Sequence, residues 1–493
     1  MEDIYILRKD LHVVRGDDTH VLFHSPSLTF FEVNRGTADL LEDYISGMPV
    51  GELCEKYNVD YGKLEGFFRG LAEQIGSEVR KFTERMREED QRRRERVRER
   101  TGKEEPAILE RLTLNISNDC NLRCRYCYAG GGSYGGARGL MKLEVAIRAI
   151  DAAYERFDGI DTIQFFGGEP ALNVRVMRGV CEYVRFLHRE GRIAYPPSFA
   201  VVTNGTILSE EFLDVIKTYN IGVTVSLDGP ACVNDAVRIY PDGRGTYERI
   251  SKFIRKVKQE SSAHVGIEAT YNRVHIEQGV TMPMLMDFFY DEFGIRSAHI
   301  PPVGAPADSS LSLYPEYSRE TYRTYADAVS YTIRSATTDS WRSFSLAERR
   351  IRGLVNRRVP RYICPAGISG TLSVSSEGDI YPCFMFIGKE EFKMGNIFDR
   401  GFSDPRFRKV NEMFESNAKD MRDDCRECWA RGLCTGCLGA NYDETGSIFE
   451  VPRTHCELHK AMVERTLVEL ARVRGRPEEW GRLVENMKGR ERD

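Results

Sequence analysis

Three cysteines, Cys120, Cys124 and Cys127, constrain this chain more than any other feature of its sequence. Their spacing is C-x3-C-x2-C, with a tyrosine before the last cysteine, and they follow an apolar run at 109–116. Three thiolates on one tight loop can hold three corners of a cubane 4Fe–4S cluster and leave one iron open to chemistry. A structural zinc ion is the alternative, but zinc needs a fourth ligand close by, and residues 113–140 contain no histidine.

A series of strand and helix patterns follows the cysteine loop. The first apolar run, 160–166, ends in Gly167-Gly168-Glu169-Pro170, and glycines at a strand end let backbone approach a ligand closely. Further apolar runs lie at 199–203, 223–227 and 265–270, and amphipathic stretches lie at 143–157, 174–189, 210–219, 247–259 and 282–293. This alternation predicts a parallel sheet covered by helices, with its ligand site at the carboxyl ends of the strands.

The cysteine loop and the Gly167–Pro170 turn together resemble the radical S-adenosylmethionine (SAM) superfamily. The resemblance implies an α/β fold with a partial (β/α)6 barrel over residues 107–340. It implies that Cys120, Cys124 and Cys127 hold a 4Fe–4S cluster whose open iron binds SAM, and that reductive cleavage of SAM releases a hydrogen-abstracting 5′-deoxyadenosyl radical. The residues that it places around SAM are Tyr126, Gly167, Gly168, Glu169, Asn204, Ser226, Asp228 and Arg238.

Three of these assignments, Ser226, Asp228 and Arg238, have an alternative in ordinary turn chemistry. Arg238 ends the segment Asn234-Asp-Ala-Val-Arg238, which is similar to the superfamily's H-D-x-x-R pattern but lacks its histidine. Asp228 begins an Asp-Gly-Pro turn, and aspartate is common in turns whether or not a ligand is present.

Composition narrows the class of protein. The chain has 493 residues, a net charge of −5 and 29% charged residues, a balance that predicts neither a nucleic-acid partner nor a membrane partner. No apolar stretch reaches membrane-spanning length, and the first residues lack the basic start of a signal peptide. Ten of the 13 cysteines fall in two tight patterns, which favours metal over disulfides. We therefore expect a reducing cytoplasm.

Residues 1–76 read as an independent module. Strands are predicted at 4–14, 20–24 and 28–33, and helices at 38–45, 50–57 and 61–74. This order resembles the winged-helix-like leader-peptide recognition element of peptide-modifying systems. The resemblance implies a precursor peptide that binds through its leader, as an extra strand at the sheet edge. The alternative is a dimerisation or DNA-binding winged helix, but a basic recognition helix is absent from the sequence.

A charged segment follows this module. Residues 84–100 contain arginine interleaved with acidic residues and almost nothing apolar. We expect a solvated helical linker over 77–106 rather than a basic arm for RNA.

The C-terminal region contains a second cysteine pattern. Its seven members are Cys364, Cys383, Cys425, Cys428, Cys434, Cys437 and Cys456. Seven thiols at these intervals can hold two further clusters. A zinc ribbon is the alternative, but its cysteine pairs are usually separated by a dozen or more residues, whereas five residues separate the pairs here.

The pattern resembles the SPASM domain of radical SAM maturases, here expected over 341–493 with a C-terminal helix. The resemblance implies two auxiliary 4Fe–4S clusters, three in all. It gives four cysteines to the distal cluster, namely Cys425, Cys428, Cys434 and Cys456, and three to the nearer one, namely Cys364, Cys383 and Cys437. The interval between Cys434 and Cys437 is two residues instead of the domain's three, so Cys437 and Cys456 could exchange places. Either way, one cluster lacks a fourth thiolate.

Together these resemblances imply a maturase of ribosomally made peptides. Phe384 follows Cys383, where sulfatase-maturing enzymes have an aspartate base, which argues against formylglycine formation. The segments 126–134 and 428–430 resemble thioether-forming maturases, including the group that matures quinohemoprotein amine dehydrogenase. We therefore expect a thioether crosslink, with ferredoxin or flavodoxin as electron donor. The alternatives are carbon–carbon crosslinking or oxidation, with the auxiliary clusters as electron relay only, and an iron–sulfur sensor or scaffold.

Overall fold

The computed structural model describes residues 8–103, 107–305, 308–357, 359–367 and 370–488. Its N-terminal part is an antiparallel sheet of three strands in chain order: β1 (Leu11–Arg15), β2 (His20–His24) and β3 (Thr29–Val33). Three helices follow: α1 (Arg35–Ile45), α2 (Val50–Tyr57) and α3 (Tyr61–Thr101). The predicted order of elements is confirmed, although the predicted start of the first strand, residues 4–7, lies outside the described residues.

Helix α3 runs through the boundary that we expected at residue 76. The Asp60 side chain caps its first turn by accepting from the Lys63 amide at 3.1 Å, and Gly102, in the left-handed conformation, ends it. The charged segment is thus a continuation of the third helix of the module. Although α3 has 41 residues, neither it nor any other helix within the described ranges is long and apolar enough to cross a membrane.

The middle of the chain forms a parallel sheet. Its strands lie side by side in chain order: β4 (Ile108–Ser117), β5 (Gly159–Gly167), β6 (Ser198–Thr203), β7 (Gly222–Ser226), β8 (Val265–Glu268), β9 (Ser297–His299) and β10 (Ser343–Phe344). The helices between them are α4 (Leu143–Arg156), α5 (Val174–Arg189), α6 (Glu210–Tyr219), α7 (Ala231–Val237), α8 (Tyr247–Glu260), α9 (Arg273–Glu277), α10 (Met282–Phe293) and α11 (Ser318–Ala336). The predicted parallel α/β sheet is confirmed. Strand β10 lies beyond residue 340, so the sheet extends past the end that we expected for the barrel.

The C-terminal region continues the same sheet at its other edge. After α12 (Ser345–Asn356), β11 (Thr371–Val374) pairs in parallel with β4, and β12 (Asp379–Tyr381) and β13 (Gly395–Asn396) follow antiparallel. The remaining helices are α13 (Pro405–Glu415), α14 (Asp423–Arg426), α15 (Leu438–Thr445), α16 (Arg453–Arg474) and α17 (Pro477–Lys488). Because β11 hydrogen-bonds to β4, this end of the C-terminal region packs directly against the barrel.

The N-terminal sheet is buried on both faces. On β2, Val21 and Phe23 point into the main core, whereas Leu22 packs with α1 and α3 in a separate core. This alternation follows from the two-residue period of a strand. Helix α16 covers the first face, and Arg472 Nε donates to Thr19 Oγ1 at 3.3 Å. The module therefore rests on the C-terminal region of the chain.

Candidate functional site

The loop 120–127 lies at the carboxyl end of β4. Two of its backbone amides, those of Arg123 and Arg125, donate to the carbonyls of Ile239 and Val237 at 2.8 and 2.9 Å. The loop is therefore tied to the end of α7, the helix that follows β7. The carboxyl ends of two barrel strands thus converge on the cysteines, as the parallel topology predicts.

The three cysteines of this loop are half-buried. Burial, reinforced by the charge of Glu169, raises the pKa of Cys120 to about 12, and burial raises the pKa of Cys124. In iron-free protein the two thiols are protonated at neutral pH, and binding of iron would release those protons.

The two glycines of the Gly167–Pro170 turn allow close contact with the cysteine loop. A Cβ atom on Gly167, whose φ is +142°, would lie 2.3 Å from the Ser117 carbonyl oxygen, and one on Gly168 would lie 2.3 Å from that of Asp119. The amides of Gly168 and Glu169 donate to these same carbonyls at 2.7 and 2.8 Å. Only glycine fits here, because backbone meets backbone.

The Glu169 side chain joins two strand ends. Its carboxylate is buried and accepts from the Ala171 amide at 2.8 Å, the Thr203 hydroxyl at 2.7 Å and the Asn204 amide at 2.7 Å. Burial raises the pKa of this carboxyl, whereas these three donors act in the opposite direction. The carboxylate thus holds the β5 and β6 turns together. We expected Glu169 to contact SAM, and that contact stays a prediction; its amide donates to Asp119 and its carbonyl accepts from Leu172.

Asn204 connects the end of β6 to the cysteines. Its side-chain amide donates to Asn121 Oδ1 at 2.9 Å and approaches Cys120 Sγ at 3.6 Å. Its Oδ1 accepts from Thr206, through both the amide and the hydroxyl. Asn204 therefore fixes the first cysteine against the barrel.

Tyr126, Asp228 and Arg238 form one hydrogen-bonded chain beside the cysteines. The Tyr126 hydroxyl donates to Asp228 Oδ2 at 2.5 Å and accepts from Arg238 Nη1 at 2.7 Å. The other carboxylate oxygen of Asp228 accepts from the Thr270 amide at 2.9 Å. Burial raises the pKa of Tyr126 well above its ordinary value, so its proton stays on oxygen. Asp228 therefore positions Tyr126 and the end of β8, and its expected contact with SAM stays a prediction.

Arg238 keeps one donor unused. Its Nε is buried and has no hydrogen-bond partner within the described part of the chain. An orphaned buried donor beside a cluster loop is what an anionic group of a bound cofactor would satisfy. The residues around it therefore fit SAM, whose carboxylate is such a group.

Sequence reasoning did not single out His275. This buried histidine accepts from the Asn272 amide through Nδ1 at 3.1 Å, so its Nε2 donates to the Asp228 carbonyl at 2.7 Å. Burial lowers its pKa, which keeps the ring neutral. The sequence signal that could have identified His275 is its position just after the predicted strand 265–270, at the end of the sheet where the ligand site is expected.

The auxiliary cysteines separate into two groups. The first group comprises Cys364, Cys383 and Cys437, and the charges of Cys437 and Cys364 both act on Cys383. Cys437 precedes α15, and its Sγ accepts from the Ala440 amide at 3.4 Å. Burial raises the pKa of Cys437 to about 11. The first amides of α15 oppose this rise, because they donate to the Cys437 sulfur and stabilise its thiolate.

The second group comprises Cys425, Cys428, Cys434 and Cys456. Burial, followed by the charges of the other three members, raises the pKa of Cys456 to about 11. The structure thus brings Cys456 to the second group and Cys437 to the first, which is the arrangement that the domain resemblance implied. The ligand roles themselves stay a prediction.

The two groups have different neighbours. Phe384, next to Cys383 in the first group, stacks on Phe166 at the end of β5 with ring centroids 4.2 Å apart. Trp429, next to Cys428 in the second group, stacks on His12 of β1 at 3.7 Å. The first group therefore faces the mouth of the barrel and the second faces the N-terminal sheet.

Thiols bind both zinc and 4Fe–4S clusters, and the two groups offer three and four of them. In a zinc site each sulfur lies about 2.3 Å from one ion, whereas in a 4Fe–4S cluster each thiolate binds a different iron. The donor sets therefore fit clusters.

Two protein families match the chain. Residues 114–272 match the radical SAM superfamily, and residues 364–429 match SPASM, an iron–sulfur cluster-binding domain. The chain therefore contains a radical SAM domain and, after it, an iron–sulfur SPASM domain.

Known proteins are similar over most of the chain. A cysteine-type anaerobic sulfatase-maturating enzyme of Clostridium novyi is 24% identical over 74% of this chain and 97% of its own. The radical SAM cyclopropyl synthase TigE of Paramaledivibacter caminithermalis is 23% identical over 94% of this chain and 95% of its own. The structure described as native anSMEcpe with bound AdoMet and Cp18Cys peptide has a TM-score of 0.61 and 18% identity, over 74% of this chain and 99% of its own. That likeness confirms the predicted fold class.

Proposed function

We propose that this chain, a radical SAM enzyme with a SPASM domain, modifies a ribosomally made peptide by forming a thioether crosslink. The observation that carries the crosslink is the first auxiliary group, which offers three thiols at the mouth of the barrel. With three thiolates a 4Fe–4S cluster keeps one iron position free, and a cysteine of the peptide can occupy it.

The cofactor site is proposed at the carboxyl ends of β4 to β7. Cys120, Cys124 and Cys127 would hold the first cluster, with SAM bound at its open iron. When bound, the cluster and SAM supply a 5′-deoxyadenosyl radical that removes a hydrogen atom from the peptide. The buried Arg238 Nε offers a donor for the SAM carboxylate, and half-buried Ser226 lies at the end of β7.

The N-terminal module supplies a site for the leader of the peptide. The outer edge of β3 opens into a cleft of about 360 Å³, bounded by Gln74 and Glu78 of α3 and by Arg474 of α16. The Phe30 carbonyl at this edge accepts from Arg474 Nη1 at 3.4 Å. An extended leader pairs with such an edge through its backbone. We further propose ferredoxin or flavodoxin as the electron donor, and the cytoplasm as the compartment.

Carbon–carbon bond formation is the second candidate. It is favoured by the similarity to TigE, whose name describes a cyclopropyl synthase and which matches 94% of this chain. Such a reaction uses the auxiliary clusters only to carry electrons. The two candidates therefore differ in whether a peptide cysteine is consumed.

The test combines iron content with product analysis. Anaerobically reconstituted protein should contain about twelve irons, falling to about eight when Cys120, Cys124 and Cys127 are alanine. The full-length peptides encoded by short reading frames beside the gene would then be incubated with reduced enzyme and SAM. A product lighter by two hydrogens that has lost one alkylatable thiol supports the thioether. The same mass loss with every thiol intact supports the carbon–carbon bond. If none of the peptides gives a SAM-dependent product, the proposed function is contradicted.

A further inference from the structure

A row of polar side chains crosses three neighbouring strands of the barrel. The parallel register pairs Ser226 of β7 with Glu268 of β8, and Glu268 with His299 of β9. Paired residues in adjacent strands point to the same face of a sheet. The three side chains therefore stand next to one another.

This row faces the inside of the barrel. The residues that precede it on each strand, Val225, Ile267 and Ala298, are buried in the main core with the surrounding helices. Because side chains alternate along a strand, the row points away from those helices, and its members are only half-buried. The polar row thus lines the space that the barrel encloses.

One end of the row meets the SAM site. Burial raises the pKa of Glu268, while the charge of Arg238 lowers it and that of Asp228 raises it further. The Glu268 carboxyl has neither a hydrogen bond nor an ion pair with any described residue. The Glu268 carboxyl therefore lies on the inner face of the barrel without a protein partner among the described residues.

The other end of the row approaches the first auxiliary group. His299 Nδ1 is hydrogen-bonded to Ser345 Oγ at 2.7 Å. Arg349, on α12, affects both His299 and Cys364 electrostatically. It is exposed, and within the described ranges it has no hydrogen bond or ion pair. The row therefore extends from the SAM site toward the first group of auxiliary thiols.

Either proposed crosslink releases a proton that a base must accept. For a thioether, a C–H and an S–H bond break and a C–S bond forms. One hydrogen atom goes to the 5′-deoxyadenosyl radical, one electron goes to the auxiliary clusters, and one proton remains. A carbon–carbon bond leaves the same proton, taken from carbon. The position after Cys383 cannot accept it, because that residue is Phe384.

We propose that Glu268 is the catalytic base that accepts this proton, in a substrate chamber completed by Ser226, His299 and Arg349. The inference rests on the proposed function, since it needs a peptide that loses two hydrogens. Other nearby carboxylates are engaged: Asp228 by Tyr126 and Thr270, as described above. His299 is a weaker base, because burial and then Arg349 lower its pKa to about 4. A carboxylate with a raised pKa accepts a proton more readily than an ordinary one.

The experiment separates hydrogen abstraction from proton removal. Glu268→Gln would be compared with wild type and with Glu248→Gln, which changes an exposed residue on α8. The substrate would be the peptide, encoded beside the gene, that loses two hydrogens with the wild-type enzyme, and its carbon-bound hydrogens would be replaced by deuterium. Glu268→Gln should still transfer deuterium to 5′-deoxyadenosine, while crosslinked product falls about 100-fold or more. Glu248→Gln should match wild type, and Glu268→Asp should recover part of the product. Iron content and peptide affinity, by calorimetry, should not change.

Three results would overturn this inference. The first is crosslinking by Glu268→Gln at the wild-type rate. The second is loss of SAM binding in that variant, which would place Glu268 in the cofactor site. The third is iron loss in both Glu268→Gln and Glu268→Asp, which would make its role structural. Failure of the proposed function looks different: wild-type enzyme would cleave SAM without taking deuterium from any peptide, and the inference would fall with it.

Discussion

The two groups of auxiliary cysteines differ in what surrounds them. The first group, Cys364, Cys383 and Cys437, lies against aromatic rings at the barrel mouth and at the start of α15. The second group has buried cations beside it and the N-terminal sheet over Trp429. A cluster at the mouth of the barrel can contact the substrate, whereas a cluster surrounded by buried charged side chains is suited to electron transfer. The comparison indicates a division of roles within one domain.

Lys419 illustrates the second environment. This buried lysine donates to the Arg431 and Cys434 carbonyls at 2.6 and 3.1 Å. Burial lowers its pKa to about 8, opposed by the charges of Cys434 and its neighbours. A cation held here offsets the negative charge that the four thiolates bring.

The largest expected effect separates the two groups by function. Replacing Cys364, Cys383 and Cys437 with alanine should remove about four of about twelve irons and abolish crosslinked product, while SAM is still cleaved. Replacing Cys425, Cys428 and Cys434 should remove as many irons but only slow the product, because an electron relay is lost. Iron analysis and mass spectrometry of the peptide measure both. Equal loss of product in the two variants would show that the groups share one role.

Removing the ring between the second group and the N-terminal sheet should be the next largest effect. Trp429→Ala removes the contacts with His12 and Phe23 and should lower the free energy of unfolding by about 3 kcal/mol. Anaerobic urea unfolding measures this. Proteolysis within residues 77–101 of α3 should also speed up, because the module is released. Trp480→Ala, in α17, is the matched control and should leave that proteolysis unchanged. Equally fast cleavage of the two variants would contradict a specific role of Trp429 in holding the N-terminal module.

Lys419→Met tests the buried charge. The two carbonyls lose their donor, so the free energy of unfolding should fall by about 2 kcal/mol. The reduction potential of one auxiliary cluster should shift to more negative values, since a nearby cation favours the reduced state. Redox titration followed by electron paramagnetic resonance measures this shift. Lys409→Met, at an exposed position of α13, should change neither quantity, and a shift there would point to a general effect of surface charge.

The smallest expected effect concerns pH. His459 is half-buried and hydrogen-bonded to Arg350, and burial of its ring, followed by the charge of Arg350, lowers its pKa well below 6.5. The unfolded chain therefore binds a proton that the folded chain excludes, so stability is complete above pH 6.5 and is lost as pH falls below it. The slope should approach about 1.4 kcal/mol per pH unit. Urea unfolding at several pH values measures it, and His459→Gln should have a slope smaller by that amount; an unchanged slope would contradict a neutral His459.

Much of the fold was predictable because its signals are local. The apolar runs predicted strands β4 to β8, and the amphipathic stretches predicted helices α4, α5, α6, α8 and α10, within a few residues. The layout of the N-terminal module was confirmed. The pairing of β11 with β4 was not predicted, since no local pattern specifies which distant strand occupies a sheet edge. Strands β9 and β10 were missed because three and two residues carry no detectable period.

The sequence predicted which residues lie near the site better than it predicted the contacts between them. The loop 120–127 and the Gly167–Pro170 turn do meet, as expected. The sequence did not predict that the carboxylates of Asp228 and Glu169 accept from protein donors at neighbouring strand ends, and their contact with SAM stays a prediction. Glu268 was passed over, although a charged residue in the apolar run 265–270 is itself a signal when side chains alternate.

The sequence alone determined the chemistry available to this protein: three thiols on one loop, seven more near the C-terminus, and alternating strands and helices. These depend on residue type and short spacing. The tertiary structure alone decided that Cys456 joins the second group and Cys437 the first, and that Glu268 points into the barrel. Such contacts join segments far apart in the chain, and they follow from sheet register and helix packing, which short intervals in sequence do not specify.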